Sequence, residues 1–207
     1  MGLNYETKFL FNLKAKITLA SKSSRRRKLL KELGLKFSVI PARVQERLPK
    51  RLPAGKAGTR SPKRLAKRLA LLKASDVGKR VKDGLIIAAD TIVILRGEVI
   101  GKPKGYEDAK KILRRLSGSR HRVITGVALV NTKTKRAITF AESTWVKMKT
   151  MTPKQISYFA KKHQDKAGAY AVQEEGDDFI SDVEGSLSNV IGLPVERLGR
   201  VLTQKVV

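Results

Sequence analysis

Five short stretches of this chain carry side chains that can hold a phosphorylated ligand and act on it. The first, Ser21-Lys22-Ser23-Ser24-Arg25-Arg26-Arg27, lies between a strand-like run and the first turn of a helix. Backbone N–H groups at a helix N-terminus and the helix dipole favour an anion there. The small hydroxyl residues Ser21 and Ser23 let a phosphate come close. Arg25 and Arg26 can each offer it paired hydrogen bonds. The second is Ala88-Ala89-Asp90-Thr91, an acid at the end of a strongly apolar strand. A buried carboxylate is costly unless it is paired, hydrogen-bonded or holding a metal. Asp90 can orient a magnesium ion, accept a proton from a hydrolytic water, or simply cap a turn. In the third, Gly101-Lys102-Pro103, the proline holds Lys102 in an extended local geometry, from which it can present an ammonium to a polyphosphate. The fourth, Asp165-Lys166-Ala167-Gly168-Ala169-Tyr170, surrounds Lys166 with small residues that let a ligand approach the backbone. Gln173, just beyond, has the donor and acceptor that suit a nucleobase edge. The fifth, Gly192-Leu193-Pro194, enters a terminal helix and reads as mainly structural. Taken singly, each stretch also fits a plain structural role: a capped basic helix, a turn, a surface lysine.

The remaining polar and aromatic singletons add little. His121 and His163 form no ligand cluster by spacing and are expected at the surface or in strands. Trp145 alternates with Val146 on a strand and reads as packing rather than a stacking platform. With aromatics at 5%, an RNA surface built on stacking is poorly supported.

The elements that must position these groups alternate between strand and helix. Residues 16–20 and 37–40 read as strands, with a helix between them carrying Leu29, Leu30 and Leu33 and ending at Gly34. Residues 43–82 hold 14 Lys and Arg against Glu46 and Asp76, and 48–62 holds three prolines and two glycines. That segment reads as a flexible basic insertion. Helical spacing resumes over 63–79 through Leu65, Leu69 and Leu72. Residues 85–89 form a strand that 91–95 continue, Arg96-Gly97 turns, and 98–100 return. A helix over 106–116 follows, then two long strands at 122–131 and 137–147 joined at 132–135. Thr152-Pro153 starts a helix running to about 162. Residues 179–181 and 187–191 read as short strands, and 194–202 as a closing helix. This order predicts an α/β fold with a mixed sheet in one domain, or one domain with two lobes.

Composition bounds the function classes. At 207 residues the chain can bury a sizeable core, and with no cysteine it has neither disulfides nor a catalytic thiol. No apolar run approaches the roughly 20 residues of a membrane span, and the first 15 residues lack the apolar core of a leader, so a cytoplasmic protein is expected. A net charge of +27 attracts polyanions: nucleic acid, anionic membrane or phosphorylated small molecules. It also fits a proteome that makes every surface basic.

In order and spacing these motifs form one series. It runs Ser-x-Ser-x-Arg-Arg-x-x-Leu-Leu, Arg-Leu-Ala-x-x-Lys-Ala (68–74), Ala-Asp-Thr (89–91) and Gly-Glu-Val-Ile-Gly-Lys-Pro (97–103). It continues with Leu-x-x-Leu-Ser-Gly (113–118), Thr-Gly-Val-Ala (125–128), Asp-Lys-Ala-Gly-Ala-Tyr (165–170) and Gly-Leu-Pro (192–194). The series resembles the Maf family, the septum-formation-inhibitor-like nucleotide pyrophosphatases, over residues 16–202. The resemblance implies a two-lobed α/β fold related to the inosine-triphosphate pyrophosphatases, with a long mixed sheet and a cleft between lobes. It implies hydrolysis of a nucleoside triphosphate between the α- and β-phosphates with Mg²⁺ or Mn²⁺. Asp90 would be the proton acceptor, Arg25, Arg26, Lys73 and Lys102 would bind the triphosphate, and Glu46 with Asp90 would hold the metal. One branch of the family favours dTTP and UTP and another 7-methyl-GTP; Arg25, Thr91 and Gln173 match the first. The chain departs from the family pattern at Ser24, at Gln45-Glu46, and at Glu174 and Asp177. A homodimer is implied by the family, with no membrane partner. A nucleic-acid binder using the basic surface, or a cell-division regulator, is the competing reading; the first has no need of Asp90 or Glu46.

Overall fold

The computed structural model describes residues 15–44, 49, 61–163, 166–170 and 178–204. Its backbone is organised around one strand, β3 (Leu85–Leu95), whose sequence LIIAADTIVIL is rich in β-branched residues and buried on both faces. β1 (Ile17–Leu19) pairs parallel with β3 and with β2 (Phe37–Val39). On the other edge of β3 lie the long antiparallel strands β5 (Arg120–Asn131) and β6 (Ala137–Met148), then β7 (Ile180–Glu184). β4 (Glu98–Ile100) returns from the Arg96-Gly97 turn and pairs antiparallel with β3. The sheet order is β2-β1-β3-β5-β6-β7, with β4 beside β3.

β1 and β4 share one edge of β3 and leave a gap between them. β1 pairs with residues 85–87 and β4 with 93–95. Asp90 and Thr91 lie in the gap, while the opposite edge of β3 is paired with β5 throughout, Asp90 facing Gly126 and Thr91 facing Thr125. Asp90 therefore sits mid-strand, and what ends beside it is β1.

Alternation along β3 sends its side chains to different layers. Ile86, Ala88, Ile92 and Ile94 face α2 (Pro62–Gly78), which buries Ala66, Leu69, Ala70, Lys73, Ala74 and Val77 at helical spacing. Ser61 caps this helix by accepting from the Arg64 N–H, and Pro62 fills its first position. The alanines bring α2 close to the sheet, and Gly126 completes the fit. A Cβ built there would lie 2.2 Å from the Ala66 carbonyl carbon.

The opposite face carries two separate clusters. Leu85, Ile87 and Ala89 pack with α1 (Ser24–Glu32) and α6 (Val195–Gln204). Val93 and Leu95 pack with α3 (Tyr106–Leu116), α4 (Pro153–Lys162), Tyr170 and Phe179. Thr91, between them, is the polar break in the row. The cleft opens there, between two lobes as the resemblance implies.

Most expected elements form where the pattern placed them. Gly34 follows α1 at φ +80°, the left-handed geometry that terminates a helix. Thr152 and Gln155 form a reciprocal capping box on α4. In the β5–β6 turn, Asn131 Oδ1 accepts from the N–H groups of Lys133 and Thr134. Residues 187–191 correct the expectation of a strand: they form the helical turn α5 (Leu187–Ile191), capped by Ser186, whose hydroxyl oxygen accepts from the Asn189 N–H. Five residues, Leu-Ser-Asn-Val-Ile, hold too little periodicity to choose between strand and helix, and here the cap decides. The strand expected at 179–181 runs instead as β7, shifted by an irregularity at Lys147/Met148. Both histidines are fully buried, not surface residues, His121 within β5 and His163 beside Phe159. Trp145 is 37% exposed and lies under Arg120, 4.6 Å from its ring centroid, so its partner is a guanidinium rather than the core. The 48–62 insertion falls outside the described residues except for positions 49, 61 and 62. Among the described residues no helix is long and apolar enough to cross a membrane.

Candidate active site

The cleft at the β3 gap has a volume of about 490 Å³ and gathers residues from across the chain. Ser21, Ser23, Arg25 and Arg26 come from the end of β1 and the start of α1. Lys73 comes from α2, Asp90 and Thr91 from β3, Lys102 from beyond β4, and Lys166 and Tyr170 from the segment around a 3-10 turn (Ala167–Ala169). Among the described residues Asp90 is the one acid in this lining, against Lys22, Arg25, Arg26, Lys73, Lys102 and Lys166.

Asp90 is buried, and the Lys73 ammonium donates to its Oδ1 at 2.5 Å. Two charges at such depth hold only as a hydrogen-bonded pair. The close approach of α2 over Gly126 brings Lys73 to this position. Without a Cβ at 126, the helix packs against the strand neighbouring Asp90.

Arg26 is held as firmly. Its Nε donates to the Gly192 carbonyl at 2.8 Å, one terminal nitrogen to Thr91 Oγ1 at 3.0 Å, and the other to Ser21 Oγ at 3.4 Å. Gly192, at φ +124°, adopts a backbone that other residues rarely enter, and a Cβ there would only touch Arg26 and Thr91 at 3.5 Å, so the backbone angle rather than space calls for glycine. Gly192 thus serves the cleft directly, beyond the structural part its motif suggested. The Ser23 hydroxyl oxygen accepts from the Arg26 N–H and caps α1. The helix N-terminus and its arginines therefore face the cleft together.

The far wall is built from rings. The Tyr170 hydroxyl meets His121 Nε2 at 2.7 Å, and Tyr170 packs edge-on against Phe179, which packs edge-on against Phe159. Burial lowers the His121 pKa from 6.5 to about 4, so the ring is neutral at physiological pH. Burial pushes the Tyr170 hydroxyl well above its ordinary value. Lys166, only 9% exposed, enters the cleft from this side.

Of the residues singled out in the sequence, Ser21, Ser23, Arg25, Arg26, Lys73, Asp90, Thr91, Lys102 and Lys166 converge on this one cleft. Glu46 and Gln173, and with them Asp165, Glu174 and Asp177, lie outside the described residues. Sequence reasoning missed Asn189 and Thr125, which support Thr91 from behind. The available signal was a polar residue inside an otherwise apolar run, since such groups must be hydrogen-bonded once buried.

The sequence profile of the family described as Maf-like protein matches residues 16–205. The chain belongs to the Maf family. A Maf relative from Elusimicrobium minutum, named dTTP/UTP pyrophosphatase, is 42% identical over 189 residues, spanning 91% of this chain and 98% of its own. The relative of the same name from Ruminiclostridium cellulolyticum is 40% identical over 188 residues, spanning 90% and 94%. A crystal structure of a nucleoside-triphosphatase / dITP/XTP pyrophosphatase from Mycobacterium abscessus aligns over 91% of this chain and 96% of that one. Its TM-score is 0.44 and its identity 14%, a likeness too loose to carry function.

Proposed function

We propose that this Maf protein hydrolyses dTTP and UTP between the α- and β-phosphates, releasing the nucleoside monophosphate and pyrophosphate. The observation that carries the reading is Asp90, the one buried carboxylate among the described residues, set in the gap of the sheet and surrounded by cationic side chains. A triphosphate carries about four negative charges and needs several cations to hold it. A carboxylate within such a ring has a use when a water must lose a proton beside bound phosphates. The names of the relatives above support the same reaction and supply the base preference.

In this reading Arg25, Arg26, Lys102 and Lys166 bind and orient the phosphates, with the hydroxyls of Ser21 and Ser23 at the helix N-terminus. Asp90 accepts the proton of the attacking water. The new bond forms at the α-phosphorus, the bond to the bridging oxygen breaks, and its electron pair leaves with pyrophosphate. Lys73 keeps Asp90 oriented through Oδ1. Thr91 and Arg25, with Gln173, select the base.

The donor chemistry fits a hard divalent ion such as Mg²⁺ or Mn²⁺. Among the described residues no three His, Asp or Glu side chains gather, yet Asp90 and the Ser21 hydroxyl offer oxygen ligands in one cleft. Mg²⁺ characteristically uses one or two carboxylates and takes its other ligands from phosphates and water. Asp90, with Glu46, would hold the ion, which when bound would neutralise charge on the phosphates. In this reading the enzyme acts on the cytoplasmic nucleotide pool, it pairs as the homodimer that the family resemblance implies, and nucleic acid is at most a non-specific ligand.

The test is phosphate release, coupled to an inorganic pyrophosphatase, from dTTP, UTP, CTP, 7-methyl-GTP and ITP with Mg²⁺ or Mn²⁺. Turnover of dTTP and UTP that collapses in Asp90→Asn is expected. Turnover of none of them by folded protein would overturn the reading.

A further inference from the structure

Arg26 is the outer end of a hydrogen-bond chain that enters the core and can run in only one direction. Arg26 donates to Thr91 Oγ1 at 3.0 Å, Thr91 Oγ1 lies 2.9 Å from Thr125 Oγ1, and Thr125 Oγ1 lies 2.9 Å from the main-chain carbonyl of Asn189. A guanidinium only donates and a carbonyl only accepts. Thr125 has one hydroxyl hydrogen, and the Asn189 carbonyl takes it. Thr125 must then accept from Thr91. The Thr91 hydrogen points into the core, and its oxygen can offer the cleft nothing but lone pairs.

The inner end is fixed with equal completeness. Asn189 Oδ1 accepts from the Thr125 N–H at 3.1 Å, while its Nδ2 donates to the Val123 carbonyl at 3.1 Å and to Thr144 Oγ1 at 2.9 Å. Thr144 spends its own hydrogen on the Ser186 carbonyl at 3.0 Å, so it can only accept from Asn189. Asn189, Thr125 and Thr144 are all 0% exposed. At these three residues no water competes, and neither Thr125 nor Thr144 has a hydroxyl hydrogen left to rotate.

We propose that Thr125 and Asn189 are positioning residues that lock the Thr91 hydroxyl as a pure acceptor. Through it they fix the Arg26 guanidinium and make Thr91 discriminate against any facing substrate atom that can only accept. Thymine and uracil carry a donor N3–H, whereas cytosine has a bare N3. The lock therefore favours the first two at Thr91. The selectivity half of this inference rests on the dTTP/UTP reading; the Arg26 half does not.

Thr125→Val keeps the shape of the residue and removes the acceptor for Thr91; Thr125→Ser keeps the hydroxyl. In the full chain, two quantities are measured: the kcat/KM ratio of UTP to CTP, and the solvent exchange of the Arg26 Nη–H protons, one of which Thr91 holds, by NMR, assigned with Arg26→Lys. In Thr125→Val the ratio should fall about tenfold, the worth of one buried hydrogen bond, and the exchange should quicken. Thr125→Ser should restore both. An exchange rate in folded Thr125→Val equal to that of the unsubstituted protein overturns the lock. Faster exchange with an unchanged ratio overturns its selectivity half. If the unsubstituted protein hydrolyses neither nucleotide, the functional reading fails, and the exchange rate still decides the lock. Should Thr125→Val fail to fold, Thr125→Ala removes the same hydroxyl while leaving Thr91 in place, and it is read by the same two quantities.

Discussion

The two walls of the cleft are held by different forces. On one side stand Asp90, Lys73, Arg26, Thr91 and Thr125, ordered by short directional hydrogen bonds and a buried ion pair. On the other, Tyr170 and the segment carrying Lys166 rest on an aromatic cluster of His121, Phe159, His163 and Phe179. The first arrangement fixes angles, which proton transfer and phosphate orientation require. The second fixes volume and depth and makes only one described hydrogen bond among its rings, His121 to Tyr170. Chemistry should therefore fail when the first wall is altered, and stability or its pH dependence when the second is.

Asp90→Asn should give the largest effect on that distinction, lowering kcat about 10³-fold if Asp90 is the proton acceptor. Steady-state turnover of dTTP measures it, and near-normal rates would assign the chemistry elsewhere. Lys73→Met comes next. Removing the ammonium from a carboxylate only 4% exposed should cost about 3 kcal/mol of stability by urea titration, with turnover also lost. A purely catalytic lysine would leave the unfolding midpoint in place.

The aromatic wall predicts a pH signature. His121 is held neutral with a pKa lowered by burial to about 4, against 6.5 for a solvated imidazole. Between those values the unfolded chain binds a proton that the folded chain refuses. Stability should thus be full above pH 6.5, fall as pH drops toward 4, and level off below. The total is roughly 3 kcal/mol, and His121→Gln should flatten that part of the slope in thermal melts across pH. The smallest effect is expected for Tyr170→Phe, which leaves His121 Nε2 without its partner and should cost about 1–2 kcal/mol of stability. Its kcat should stay within about threefold of normal, since no transferred proton passes through a hydroxyl raised so far by burial. A large loss of turnover would dissolve the distinction between the walls.

Local patterns carried much of this architecture. Helix α3 appears at the bounds its periodicity predicts, and the Thr152-Pro153 start and the 132–135 turn form as expected, because caps, turns and amphipathic spacing are written in neighbouring residues. Nine of the site residues were legible through the order of their motifs. The gap at Asp90 was not, since the strand reads as continuous from 85 to 95 and only its pairing partners stop. Nor was the bond between Thr125 and Asn189, 64 positions apart, because a long-range hydrogen bond leaves no periodic trace. His121 does lie in a strand, but the depth of the two histidines was not legible, for a related reason. Their burial depends on Phe159, Phe179 and Tyr170, which are gathered from three separate stretches of the chain.

The parallel junction of β1 with β3 has a further consequence, for the order of folding. It joins residue 17 to residue 85, whereas β5 and β6 meet across a turn of a few residues. Closing the longer loop carries the greater entropic cost, so the β5–β6 hairpin is placed to form early and the β1 junction late. The Ser21–Arg26 cradle travels with β1, and Asp90 with β3. The cations are thus brought against Lys73 only at the last step, once the rest of the sheet can resist their mutual repulsion. Hydrogen exchange in the native protein should accordingly open first at β1, and the protein would lose its phosphate cradle before it loses its core.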